Sequence, residues 1–125
     1  MREGKRMLLS ILKAKIHRAV VTETDLDYVG SITIDENLME AVGMQNFEQV
    51  HVWNLTNGSR LQTYVISGFR GSGVICLNGA AAHITRVGDR VIVASFALMD
   101  EKEARVFKPK IALIDSHNKI EKVLE

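Results

Sequence analysis

A chain of 125 residues reads as one domain, long enough to bury a core and too short for two. With 46% hydrophobic and 25% charged residues it falls outside the disordered, collagen-like and disulfide-scaffold classes, and a net charge of +1 argues against a polyanion bound over the whole surface. A single cysteine, Cys76, precludes an internal disulfide framework and fits a reducing, cytoplasmic setting; with Val74, Ile75 and Leu77 around it, it reads as strand core.

The first residues are basic: Arg2, Lys5, Arg6, Lys13, Lys15 and Arg18 stand against one acid, Glu3. The apolar run that begins at Met7 soon meets Lys13 and Lys15, so no secretory leader is expected, and Met7 is a second candidate for the initiator. Residues 14–21 are dense in β-branched side chains and predict a strand, and 28–34 predict another after an acidic turn at 25–27. Asp35 is placed to cap a helix whose Leu38, Met39 and Val42 share a face and which Gly43 ends. Residues 49–55 alternate as a strand, Asn57-Gly58 marks a tight hairpin, and 60–67 form the return strand. Gly71 and Gly73 punctuate a turn before a short apolar strand at 74–77, and Asn78-Gly79 turns into the small residues Ala80, Ala81 and Ala82. Residues 90–98 are the most apolar strand, expected to be buried on both faces; the stretch is far short of the roughly 20 residues of a membrane span. Asp100 caps a helical turn, 110–114 is expected as the last strand with Pro109 tolerated at its edge, and a solvated tail follows from Asn118. About six short strands, frequent turns and two short helices predict a mainly β fold closed into a small barrel, whose strand order the pattern does not reveal.

The common enzyme signatures are absent. No Gly-rich phosphate loop precedes a helix, and His17, His51, His83 and His117 are scattered without metal-ligand spacing. What remains is five short strings: K-x-H-R at 15–18, Y-x-G-S at 28–31, W-N-x-T-N-G at 53–58, R-x-x-T-Y at 60–64 and N-G-A-A-A-H at 78–83. Each alone is weak; Gly30-Ser31 by itself reads as a bulge or turn.

In this order and spacing the strings closely resemble the bacterial pyruvoyl-dependent aspartate 1-decarboxylases, over a span from about Leu8 to about Pro109. The resemblance implies a small closed double-psi β-barrel of about six strands with short helices, in a cytoplasmic homotetramer with sites between subunits. It implies a proenzyme, a single domain over 1–125, that cuts itself between Gly30 and Ser31 into a β chain 1–30 and an α chain 31–125. The cofactor implied is a covalent pyruvoyl group derived from Ser31, with no metal. On it L-aspartate loses CO₂ through a Schiff base, giving β-alanine for pantothenate and coenzyme A synthesis. Some relatives need a helper protein for the cut, and the resemblance leaves open whether this chain does. No nucleic-acid or membrane partner is implied.

The residue types suit that chemistry. The Ser31 hydroxyl would attack the Gly30 carbonyl, where a residue without a Cβ allows close approach. The ketone left after cleavage is an electron sink of the kind ordinary side chains do not supply. By resemblance Tyr64 returns a proton after decarboxylation, since a phenol is protonated at neutral pH and can donate; without the family it reads as a half-buried strand tyrosine. Arg60 is the candidate for a substrate carboxylate because its planar fork meets two oxygens, or else it closes the hairpin at the surface. Lys15 and His17, two apart on one strand face, line the substrate pocket by resemblance and otherwise read as solvated. Thr63 assists processing and contacts substrate in the family, yet strict alternation points it away from Tyr64; a bulge, a strand end or a site shared between subunits would reconcile the two. Asn78, Gly79, Ala80 and Ala81 form a turn whose backbone N–H groups can meet a carbonyl or carboxylate. Tyr28 either closes the pocket or packs in the core, while His83 and Trp53 read as structural. Two rivals compete: a barrel binding nucleic acid through the basic segment 2–18, against which no aromatic stacking platform is evident, and a catalytically dead assembly subunit.

Overall fold

The computed structural model describes residues 7–125, so Arg2, Lys5 and Arg6 of the basic segment lie outside the described residues. The chain is mainly β, as expected, with short helices. Strand β1 (Leu8–Val20) is longer than the sequence suggested. It pairs antiparallel with β7 (Arg90–Asp100) along its whole length and parallel with β8 (Lys110–Ile114) from Ala14 to His17. Register shifts after Leu12 and after His17 interrupt it, and at the second Arg18 takes a φ of 70°. That extra residue keeps Ala19 on the buried face already occupied by Ala14 and Ile16.

Only Val21 and Thr22 separate β1 from β2 (Glu23–Asp25), which pairs parallel with β6 (Ile75–Asn78). The expected strand over 28–34 starts later: residues 26–30 are an exposed turn, and β3 (Ser31–Asp35) begins at Ser31. Helix α1 (Glu36–Val42) forms as predicted, capped by Asp35 and ended by Gly43 at φ 76°. Strands β4 (Gln49–Asn54) and β5 (Arg60–Gly68) pair from Gln49↔Tyr64 to Trp53↔Arg60, so the connection is the loop 55–59 and not the tight hairpin expected. The reason is Asn54, whose Oδ1 accepts the backbone N–H groups of Thr56 and Asn57 and widens the turn. A 3-10 helix (Gly79–Ile84) follows β6, and α2 (Glu101–Val106) carries the expected Asp100 cap as a full capping box.

The tail differs from expectation: residues 120–124 form β9 (Ile120–Leu124), paired antiparallel with β8. Asn118, only 2% exposed, ties this corner down. Its Nδ2 donates to the carbonyls of Val20 and Gly73, and its Oδ1 accepts the Val20 N–H. The strands form one nine-stranded row, β2-β6-β3-β5-β4-β7-β1-β8-β9. That exceeds the expected number, and the row has two free ends instead of the closed hydrogen-bonded ring predicted. The sheet wraps a core of Ile16, Ile32, Ile34, Leu38, Val50, Val52, Val65, Ile75, Leu77, Val91 and Val93. Burial on both faces, expected over 90–98, holds only for residues 91–95; Phe96 and Leu98 are exposed. No helix among the described residues is long and apolar enough to cross a membrane.

Asp35 anchors the corner that aims β3. Buried at 2% exposure, its carboxylate accepts the N–H groups of Asn37, Gly71 and Gly73 at 2.8, 2.9 and 2.8 Å. Burial pushes the carboxyl up, but those three donors, with Lys119 nearby, outweigh it and hold it below the ordinary carboxylate range. Because the folded value is lowered, the stabilisation is complete above the unfolded carboxylate range and is lost as pH falls through the folded value. Asp35→Ala should therefore cost about 2–4 kcal/mol at neutral pH. The melting temperatures of variant and parent should converge in acid, which thermal melts across pH will measure.

Candidate active site

The site forms where a sheet pairing stops. Strand β3 pairs parallel with β5 from Ile32↔Val65 onward, while β5 before Val65 is paired only with β4. The edge of β5 facing the start of β3 is therefore open, and a cavity of about 430 Å³ occupies the gap. Gly30, Thr63, Tyr64, Asn78, Ala80 and Ala81 line it together, with Leu61, Gln62 and Ile84, which the sequence reading did not single out. Alternation predicted that Thr63 and Tyr64 would part; at an unpaired strand edge consecutive residues can border one space, and the difficulty disappears.

Ser31 sits at the junction between the exposed turn and the buried strand. Gly30 is exposed, Ser31 is fully buried, and its register partner across β3–β6 is Asn78. The Ser31 hydroxyl donates to the Val29 carbonyl at 3.0 Å and accepts from Asn78 Nδ2 at 2.9 Å. A Cβ on Gly30 would meet nothing within 4 Å, so crowding at Gly30 itself does not call for glycine. Gly79 is the position that does: at φ 66°, a Cβ there would lie 2.8 Å from Gly30 Cα and 3.2 Å from the Tyr28 carbonyl. Its missing side chain lets the turn after β6 lie directly against the Gly30 backbone.

Lys15, His17 and Arg60 are not in this cavity. They share one face of the sheet, through the rows Lys15↔Ala94↔His51↔Gln62 and His17↔Ile92↔Trp53↔Arg60, which meet the cavity only at Gln62. The Arg60 guanidinium lies 4.7 Å from the centre of the Trp53 ring, a cation–π contact that gives both a role beyond packing. These two residues border a second concavity of about 500 Å³ with His51, Leu61 and Gln62. Leu61 and Gln62 thus belong to both hollows, which adjoin along β5. Burial, then the cations Lys15 and Arg18, push the His17 imidazole below its ordinary range, and its Nδ1 is buried without a partner. Tyr28 is half exposed and borders a separate hollow with Thr33, Phe69 and Arg70, so it neither closes the cavity beside Gly30 nor packs in the core. Ser31 and Gly79 lie behind Gly30 and Asn78 and are not themselves in the cavity lining. Among the described residues no group of three or more His, Cys, Asp or Glu is placed to hold a metal ion.

The family model described as aspartate decarboxylase matches residues 7–121. The chain belongs to the aspartate decarboxylase family. It is 56% identical over 119 residues to the aspartate 1-decarboxylase of Carboxydothermus hydrogenoformans, covering 95% of this chain and 94% of that protein. It is 55% identical to the aspartate 1-decarboxylase of Bacillus licheniformis, over 94% of this chain and 93% of that protein. The aspartate 1-decarboxylase of Xanthomonas campestris pv. campestris is 57% identical over 91% of this chain and 90% of its own length. As a member of the aspartate decarboxylase family the chain is matched over the whole cavity lining, from β5, β6 and the 3-10 helix, and over the Gly30–Ser31 junction.

Proposed function

We propose that this chain is a cytoplasmic aspartate 1-decarboxylase that makes its own catalytic carbonyl by cutting itself before Ser31. The observation that carries the reading is the buried Ser31 hydroxyl, held by Asn78 at the first residue of β3 with an exposed turn immediately before it. In maturation the Ser31 oxygen bonds to the Gly30 carbonyl carbon, the Gly30–Ser31 C–N bond breaks, and the hydroxyl proton passes to the Ser31 nitrogen. Loss of the Ser31 Cα proton then breaks the Cβ–Oγ bond, and Gly30 departs as a carboxylate. Water replaces the nitrogen of the dehydroalanine that remains, releasing ammonia and leaving the pyruvoyl group.

The residues present fit such a group: the position is buried, Asn78 aims a donor at it, and Gly79 leaves room for the neighbouring backbone. A pyruvoyl ketone supplies an electrophile for the substrate amine and a sink for the electrons released with CO₂. The chain's own groups do the rest. Tyr64 and Thr63 border the same cavity and offer hydroxyls, of which the Tyr64 phenol delivers the proton that completes β-alanine. Arg60, stacked on Trp53 and separated from the cavity by Leu61 and Gln62, takes a carboxylate of L-aspartate.

Lys15 and His17 lie on β1, two strands from β4 in the row, so within one chain they stand apart from the cavity beside Gly30. In a homotetramer with sites between subunits, a neighbour's Lys15 and His17 close the site and add positive charge for a dianionic substrate. The parallel pairs β1–β8, β2–β6 and β3–β5, all needing crossovers, support reading the curled sheet as an elaborated double-psi barrel. The product β-alanine feeds pantothenate and coenzyme A synthesis. Intact-mass measurement of the purified protein should show two polypeptides, residues 1–30 and 31–125, the second blocked to Edman sequencing. One uncut chain after prolonged warm incubation, with maturation partners supplied, would overturn the reading.

A further inference from the structure

The Ser31 hydroxyl is held by one amide, and two further side chains determine how that amide is turned. Across the antiparallel pair β3–β6, Ser31 faces Asn78 and Thr33 faces Cys76, so the four side chains form a square on one face. Asn78 Nδ2 donates to Ser31 Oγ at 2.9 Å and to Thr33 Oγ1 at 3.1 Å, while Asn78 Oδ1 accepts from the Cys76 thiol at 3.2 Å. All three polar contacts of the Asn78 side chain are therefore internal, at 2% exposure.

We propose that Thr33 and Cys76 are positioning residues for self-cleavage, locking the Asn78 amide so that its N–H points at the Ser31 oxygen. The inference rests on the self-cleavage reading above. The orientation matters because the same oxygen carries negative charge twice: when the hydroxyl gives up its proton ahead of the attack on Gly30, and again as it leaves within the Gly30 carboxylate. A donor aimed at it stabilises both stages. An amide turned the other way would set its carbonyl lone pairs against Ser31 Oγ, whose proton is already given to Val29. The thiol opposes that state because it donates to Oδ1 and is a poor acceptor for an N–H. Burial, with Glu23 and Asp25 nearby, pushes the Cys76 thiol up, which keeps it a donor at neutral pH.

The test follows cleavage of freshly refolded proenzyme by intact mass, each variant held at the same interval below its own melting temperature. Thr33→Val and Cys76→Ala should slow the appearance of the two chains by roughly tenfold, the worth of one oriented hydrogen bond. Thr33→Ser, which restores the acceptor, should recover the parent rate, and Cys76→Ser, which restores the donor but can also accept from a turned amide, should recover it in part. A merely structural role would track melting temperature and packing volume, so the serine variants, which lose a methyl or shrink the side chain, would stay slow. Parent-like cleavage of Thr33→Val and Cys76→Ala, or failure of both serine variants to restore it, overturns the inference. Failure of the parent itself to cleave overturns the reading beneath it instead.

Discussion

Ser31→Ala yields a folded, uncut chain that forms no β-alanine. Alanine keeps the Cβ and the strand position but has no oxygen to take the Gly30 acyl group, so neither the cut nor the ketone can form. Losing the electron sink removes the chemical route as a whole, and the drop in turnover should exceed ~10⁶-fold, the low end of enzymatic rate enhancement. The fold should survive. Val29, whose carbonyl loses a donor, lies in the exposed turn and can be hydrated, and Asn78 Nδ2 keeps Thr33 as an acceptor. The expected cost is about 1–2 kcal/mol. Mass spectrometry, a thermal melt and a β-alanine assay on one preparation decide the matter, and turnover surviving in the uncut variant sinks the pyruvoyl route.

Tyr64→Phe should separate maturation from turnover. The Tyr64 ring packs 6.3 Å from Phe47 and borders the cavity beside Thr63. Phenylalanine preserves that packing and removes only the hydroxyl, so folding and the cut before Ser31 should proceed. Loss of a general acid lowers rate by ~10²–10⁴-fold, and the fully cleaved variant should release β-alanine that much more slowly. An uncut Tyr64→Phe chain would assign the phenol to maturation, and an unchanged rate would assign the proton to another group.

Local signals were legible in the sequence wherever a short-range rule decides the outcome. The Asp35 cap, the Gly43 terminus and the Asp100 cap all follow from spacing and side-chain type, and double burial was right for 91–95 but not for Phe96 and Leu98. Failures came where a distant partner decides. Residues 120–124 look like a polar tail until β8 offers a free edge for them to pair with. Asn57-Gly58 signals a tight turn, but Asn54, three residues earlier, captures the loop's N–H groups. Within the site, Gly30, Thr63, Tyr64, Asn78, Ala80 and Ala81 were anticipated and do share one cavity. Leu61 and Gln62 were missed because only the unpaired edge of β5 brings them there. Thr33 and Cys76 were missed because the β3–β6 register, which sets them beside Asn78, leaves no mark in the pattern of either strand.

The position of β1 in the sheet has a consequence for the history of each molecule. β1 is an inner strand, held by β7 on one side and β8 on the other, and β2 continues it onto β6. The proposed cut before Ser31 would therefore release no propeptide: the short piece would stay as the middle of the sheet. It would also change the order of the folding reaction. Before the cut, reassembly is unimolecular and loses only the entropy of closing loops. Afterwards two separate chains must find one another, and recovery from unfolding depends on their concentration. Such a protein folds once as a single chain and thereafter persists by unfolding slowly, with kinetic stability standing in for the ability to start again.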